Sequence, residues 1–160
     1  MPDARIAVRQ RRVSAFAVLQ PKYNVMDRDQ YEDALQLLCT TEGIACVPHS
    51  SLAKGFLTGK YRGRRPVESS RAEGASAYFG TRGDVVLGGL DALARAHGTS
   101  VAAVALGWLA AQPTVVSVIA SARTPAQLDE LLPMATLKLV PEEVEALAYA
   151  STRKPGGGAR

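Results

Sequence analysis

The sequence predicts an α/β fold with parallel strands, and three observations predict it. Short apolar runs alternate with stretches of helical periodicity. The runs are continuous rather than alternating, the pattern of strands covered on both faces. Caps, prolines and glycines stand where these segments meet. Strand, helix, strand in this rhythm calls for parallel neighbours joined by right-handed crossovers. With 160 residues, 47% of them hydrophobic and 21% charged, the chain is long enough for one domain with a core.

The elements follow in order. FAVLQ, residues 16–20, is the first strand. In DRDQYEDALQLLCTTEG, Asp27 and Gln30 have capping-box spacing, and Tyr31, Ala34, Leu35 and Leu38 recur at helical intervals. Gly43 ends that helix. IACVP, residues 44–48, is the second strand, and HSSLAKGFLTGKY follows as a small-residue loop. Residues 62–83 are rich in Arg, Gly and Ser and predict a long mobile loop. Asp84 opens a helix to about Ala96, with Gly98 as its stop. Thr99 or Ser100 caps the next, VAAVALGWLAAQ. Residues 115–119 are the third strand. Thr124, Pro125 and Gln127 supply a cap, a first-turn proline and a capping-box glutamine. Pro141, Glu142 and Glu143 start a last helix ending near Ser151, and residues 152–160 predict a flexible tail.

Several function classes are disfavoured. The formal net charge is +4, but many of the arginines lie near the two ends (Arg5, Arg9, Arg11, Arg12, Arg153, Arg160) rather than in a stripe with aromatics. Nucleic acid is therefore not an expected partner. Cys39 and Cys46 have neither metal-ligand spacing nor a disulfide framework, and their apolar surroundings predict buried thiols. No run has the length of a membrane span and no leader is visible, so no membrane partner is expected and the expected setting is the cytoplasm.

In parallel α/β folds ligands collect at the carboxyl ends of the strands. Three stretches share that address: residues 20–24, 49–61 and 120–130. Arg123 precedes a helix start, and a guanidinium there suits a phosphate, although arginines beside capped helices are also common on plain surfaces. Ser50, Ser51, Gly55 and Gly59 allow close backbone approach and Lys60 adds charge, yet the loop matches no P-loop, so a solvated loop stays open too. Gln20 can hold an amide through both its oxygen and its nitrogen, or simply bond the next loop. His49 has no neighbouring carboxylate to orient it, and stacking or packing is the expected role. His97 at a helix end and Trp108 in an apolar helix predict structural roles.

LQPKYNVMDRDQYEDAL, EGIACVPHSSLAKGFLTGKYR and VAAVALGWLAAQPTVVSVIASARTPAQLDELL resemble the aldo-keto reductases, most of all the bacterial branch with channel-subunit-like members. The likeness runs from about Phe16 to Ser151 in one consistent order. It implies a partial (β/α)8 TIM barrel, the last three βα units plus C-terminal helices, in a family that reduces carbonyls with NADPH. By that resemblance Arg123 pairs with the 2′-phosphate of NADP(H), and Gln127 and Glu130 hold the adenosine end. Ser50 and Leu52 lie along the pyrophosphate, and Gly55, Leu57, Thr58 and Lys60 match the pyrophosphate loop. Gln20 holds the nicotinamide carboxamide, and His49 stands where the family carries a stacking aromatic. Ala120, Ser121, Ser51 and Leu131 depart from the family pattern.

The family's catalytic Asp, Tyr, Lys and His come from the first half of the barrel, so no catalytic residue is assigned here. Residues 1–15 are expected to be a remnant of the preceding helix. The expectation is the NADP(H)-binding half of an oxidoreductase, inactive alone. A second chain supplying the other half, or self-association, would complete it. The alternatives are a non-catalytic redox-sensing module and an unstable remnant.

Overall fold

A computed structural model describes residues 16–64 and 71–152. The expectations for residues 1–15, 65–70 and 153–160 lie outside the described part. Strand β1 (Val18–Leu19) pairs in parallel with β2 (Ala45–Cys46), Val18 opposite Ala45 and Leu19 opposite Cys46. Ladder bonds extend the pair: Val47 N donates to Leu19 O at 2.9 Å and His49 N to Pro21 O at 2.9 Å. Lys22 then stands opposite His49.

The third predicted strand, residues 115–119, is present only as a single bridge. Cys46 N donates to Thr114 O at 2.8 Å and Val116 N to Cys46 O at 3.0 Å. In a parallel ladder the next donor on β2 is residue 48, two further on, and Pro48 has no N–H. The ladder stops there for a reason the sequence contains.

Only one face of this sheet is covered. Leu19, Cys46 and Val115 pack against the helices. On the other face Phe16 is 68%, Val18 53% and Val116 67% exposed. The continuous apolar runs predict cover on both faces, and among the described residues Val18 and Val116 on the second face stay largely exposed.

Helix α1 (Ala34–Glu42) begins later than its sequence predicts and ends at Gly43 in a left-handed conformation (φ 63°). The expected cap, Asp27, is engaged elsewhere: its carboxylate accepts from Lys22, Asn24 and Tyr78. Residues 29–33 form turns instead, and Asp33 at φ 79° breaks any continuation. The predicted loop 62–83 also carries more order than expected, because α2 (Ala72–Ser76) lies within it and α3 (Thr81–Ala96) starts three residues early. The early start depends on Gly83. A Cβ there would lie 2.1 Å from the Tyr78 carbonyl oxygen and 2.7 Å from the Phe56 ring. Phe56 packs on Tyr78 and Phe79, at 5.7 and 6.1 Å between ring centroids, fixing the connection onto the loop after β2.

Helix α4 (Val101–Ala110) is capped by Ser100, whose hydroxyl accepts from Ala103 N. It is apolar all round and almost wholly buried, as such a helix must be. Helix α5 (Pro125–Leu131) has Thr124 as its cap and Pro125 in its first turn, as its sequence predicts. A 3-10 turn (Leu132–Ala135) and α6 (Pro141–Thr152) follow. Trp108 on α4 is fully buried, packs at a tilt against Tyr23 with ring centroids 5.8 Å apart and donates from Nε1 to Val144 O at 3.0 Å. Arg28 binds Glu32 through two nitrogens, then reaches Ala148 O and Ser151 Oγ on α6. Cys39 and Cys46 are buried free thiols.

Trp108→Ala should lower the unfolding free energy by about 3–5 kcal/mol in urea, because it removes both the packing and the bond to α6. Leu37→Ala, at an exposed site, should change it by less than about 0.5 kcal/mol. Equal losses at the two positions would contradict this core.

Candidate functional site

The chain leaving β1 turns sharply at Asn24. Its Oδ1 accepts from Met26 N at 2.8 Å and Asp27 N at 3.0 Å. Its Nδ2 donates to Asp27 Oδ2 at 2.8 Å and to Ser50 O at 2.9 Å. A fully buried amide with all these bonds made is an anchor, and it places the loop after β2. Tyr23, also fully buried, turns its hydroxyl to Glu32 at 2.8 Å. Burial first, and the Glu32 bond second, push that phenol well above its ordinary range.

The loop so placed is conformationally unusual. Ser50, Ala53 and Lys54 have φ of 61°, 48° and 58°, and Gly55 and Gly59 have 88° and 75°. Left-handed backbone at three non-glycine residues costs free energy, and such outliers gather at binding sites. His49, at the head of the loop, is exposed, so packing is not its role. Its Nδ1 lies 2.9 Å from Ser50 Oγ. Alternation along the paired strands puts Gln20 and His49 on the same open face, Gln20 one step behind.

The same loop meets the segment after residue 115. Ser51 Oγ donates to Ile119 O at 2.7 Å. Leu52 packs in a cluster with Val118, Ala122, Leu106 and Leu131. So the structure brings the three strand-end stretches together: Asn24 joins the first to the second, and Ser51 with Leu52 joins the second to the third. Sequence reasoning left Asn24 out of the candidate set and read Ser51 only for close backbone approach. The signal for Asn24 was available, since an Asn just past a strand can close an Asx-turn onto the backbone N–H two residues on, as it does with Met26.

The other candidates divide. Arg123 is exposed, and among the described residues no carboxylate pairs with it. Its N–H donates to Gln127 Oε1 at 2.9 Å, while Gln127 N donates to Thr124 Oγ1 at 3.2 Å. Gln127 is thus partly spent on closing its own turn. Glu130 is exposed, and its backbone carbonyl accepts from the Ser100 hydroxyl. Lys60 folds back toward Gly55, where a Cβ would lie 3.1 Å from its Cε. Thr58 Oγ1 bonds Gly55 O at 2.9 Å and shapes the loop from within. Leu57 is fully buried in the core, so its side chain packs and can offer nothing to a ligand.

A separate cavity of about 310 Å³ lies beside this face, lined by Lys22, Met26, Asp27, Tyr78, Phe79, Arg82 and others. Burial opposes ionisation of Asp27, yet hydrogen bonds from Tyr78, Lys22 and Asn24 outweigh it and hold the carboxyl below its ordinary value. Among the described residues no cluster of His, Cys, Asp and Glu could hold a metal, and no helix is long and apolar enough to cross a membrane.

Comparison with known proteins agrees with this architecture. The model of the aldo/keto reductase family matches residues 3–151, and the chain belongs to that family, whose fold is the TIM barrel. A probable voltage-gated potassium channel subunit beta from Arabidopsis thaliana is 32% identical over 150 residues, covering 86% of this chain and 45% of that protein. An L-glyceraldehyde 3-phosphate reductase from Escherichia coli (strain K12) is 31% identical over 118 residues, covering 69% of this chain and 34% of that one. The solved structure of a thermostable aldo-keto reductase, in complex with the inhibitor epalrestat, superposes with a TM-score of 0.61 at 26% identity. That match covers 91% of this chain and 43% of the other. The chain therefore spans less than half the length of these relatives.

Because the Asp27 carboxyl sits below its ordinary value of 3.8, its stabilising contribution is fully present above about pH 5. It is lost as pH falls through the lower, folded-state value. The stability gap between the native chain and Asp27→Asn, followed by urea unfolding, should be constant from pH 7 to 5 and shrink below about pH 4. A gap that widens in acid would contradict the hydrogen-bonding pattern.

Proposed function

We propose that this chain is the NADP(H)-binding half of an aldo-keto reductase barrel, comprising about its last three βα units and C-terminal helices. The observation that carries the reading is the left-handed loop 50–59 fastened by Ser51 and Leu52 to the segment that leads to an exposed Arg123 with no carboxylate partner among the described residues. The residues fit the cofactor. A pyrophosphate would run along the loop beside Ser50, Gly55 and Lys60, where Ser50 and Gly55 hold the backbone at positive φ. Arg123 gives a 2′-phosphate a guanidinium with no competing carboxylate among the described residues. Gln20 and His49 share the face on which the nicotinamide end would lie, and Gln127 and Glu130 flank the adenosine end. Leu52 holds the two halves of this surface together, while Leu57 and Thr58 shape it from behind.

When bound, NADP(H) supplies the hydride that the family delivers to carbonyls. This chain's residues bind and orient. None is assigned as the proton donor, since the family's Asp, Tyr, Lys and His blocks are not matched here. Carbonyl reduction therefore requires residues from elsewhere. The exposed face bearing Val18 and Val116 supports completion by a further half-barrel or by self-association. A second reading, a non-catalytic module that reports NADP(H) redox state to a partner, is favoured by the relatives named as potassium channel subunits. The buried core centred on Trp108 argues against an unstable remnant.

Titration of the full chain should show NADPH binding at least about tenfold tighter than NADH, the scale of a charge-assisted phosphate contact. Arg123→Ala should abolish that preference and leave NADH binding unchanged. Carbonyl reduction by the chain alone should be absent. A preference that survives the substitution, or turnover without a partner, would contradict the proposal.

A further inference from the structure

We propose that the cavity between the turn after β1 and the start of α3 is a binding site for a small organic carboxylate. None of the residues assigned to NADP(H) lines this cavity, so the two sites stand or fall separately. At about 310 Å³ it has the size of a small-molecule site. Its wall has an apolar part and a polar part. Met26 and Phe79 belong to the first, and Lys22, Asp27, Tyr78 and Arg82 to the second.

The charges on that wall do not cancel. Asp27 is the one carboxylate lining the cavity, and its oxygens accept from Lys22 at 2.9 Å, Asn24 at 2.8 Å and Tyr78 at 2.6 Å. Lys22 and Asp27 therefore balance as an ion pair. Arg82 is left over. Its Nε donates to Ser151 O and its Nη2 to Met26 O at 2.7 Å, both neutral acceptors. Among the described residues no carboxylate pairs with Arg82, and its Nη1 has no acceptor. Two backbone bonds thus fix the guanidinium without neutralising it. A cation already held in place loses little freedom when it takes an anion.

The backbone adds to this charge. Gly80, Thr81, Arg82 and Gly83 line the cavity where α3 starts, and Gly80 brings no side chain to cap the helix. First-turn N–H groups have no acceptor within their own helix, and the start of a 16-residue helix carries a partial positive charge. One unbalanced guanidinium beside that helix start suits a carboxylate of single charge. The wall of Met26 and Phe79 suits an apolar body behind it, so the ligand is an organic acid rather than an inorganic ion.

The test is titration of the full chain with benzoate, followed through its amide resonances by two-dimensional NMR, with benzamide as the neutral isostere. Benzoate should give saturable shifts at residues 80–83, and benzamide should not. Arg82→Gln should weaken benzoate at least about tenfold, the scale of a charge-assisted contact. Arg82 also braces Met26 and Ser151, so a second pair of variants leaves it in place: Ala77→Glu and Ala77→Gln, at an exposed position on the cavity wall. The glutamate should weaken benzoate about fivefold more than the glutamine of equal size, the effect of one unit charge about 4 Å away in water. Inorganic phosphate, which has no apolar body, should bind more weakly than benzoate. Absence of saturable shifts at residues 80–83, an equal response to benzamide, or equal affinities in the two Ala77 variants overturns the carboxylate site. Phosphate binding as tight as that of benzoate overturns the choice of an organic acid.

Discussion

Asn24 has no exposed surface, and both polar atoms of its side chain are used twice. Two of those bonds close the turn after β1. The other two reach Asp27 and the backbone of Ser50. The link to Ser50 carries the backbone pairing of residues 21–23 with His49 one residue further into the loop that follows the second strand. With it, His49 is presented at the face, the left-handed run begins at a defined point, and Ser51 is aimed at Ile119. A buried amide that lost these partners would leave several polar atoms unsatisfied, each costing about 1–3 kcal/mol. The geometry of the whole strand-end face is therefore contingent on one short polar side chain.

The sheet explains why that anchor is needed. Among the described residues, two short strands and two isolated bridges make a weak frame, because Pro48 ends the ladder to residues 115–119 after one register position. Side-chain bonds and packing take over where backbone pairing stops. Ser51 and Leu52 hold the third segment, and Trp108 and Arg28 tie the turn after β1 to the helices behind it. Among the described residues, the face with Val18 and Val116 exposed is where this frame remains open. Apolar surface buried elsewhere stabilises at about 25 cal/mol per Å², so a partner able to cover these residues has a ready source of affinity.

Much of this was legible in the residues. Gly43, Ser100, Thr124 and Pro125 announced helix ends that formed as their chemistry requires. The all-apolar stretch around Trp108 announced a buried helix. The failures have physical causes. Asp27 reads as a cap, but hydrogen bonds from nearby Lys22 and distant Tyr78 claim its carboxylate, and no local pattern reveals a partner fifty-one residues away. Residues 62–83 read as a loop because small polar residues hide the aromatic contacts of Tyr78 and Phe79 with Phe56. Leu57 matched a motif, yet its depth in the core depends on how the loop folds back. Pro48 was in plain view and should have shortened the third strand.

The claim at the centre is that loop 49–60 and residues 119–127 form one surface for one ligand. Hydrogen exchange of the full chain, with and without saturating NADPH, tests it most directly. Joint protection of both stretches, with α3 and α6 unchanged, is the expected result. Protection of only one stretch, or of neither while the nucleotide is bound, would mean that the two do not act as a single site.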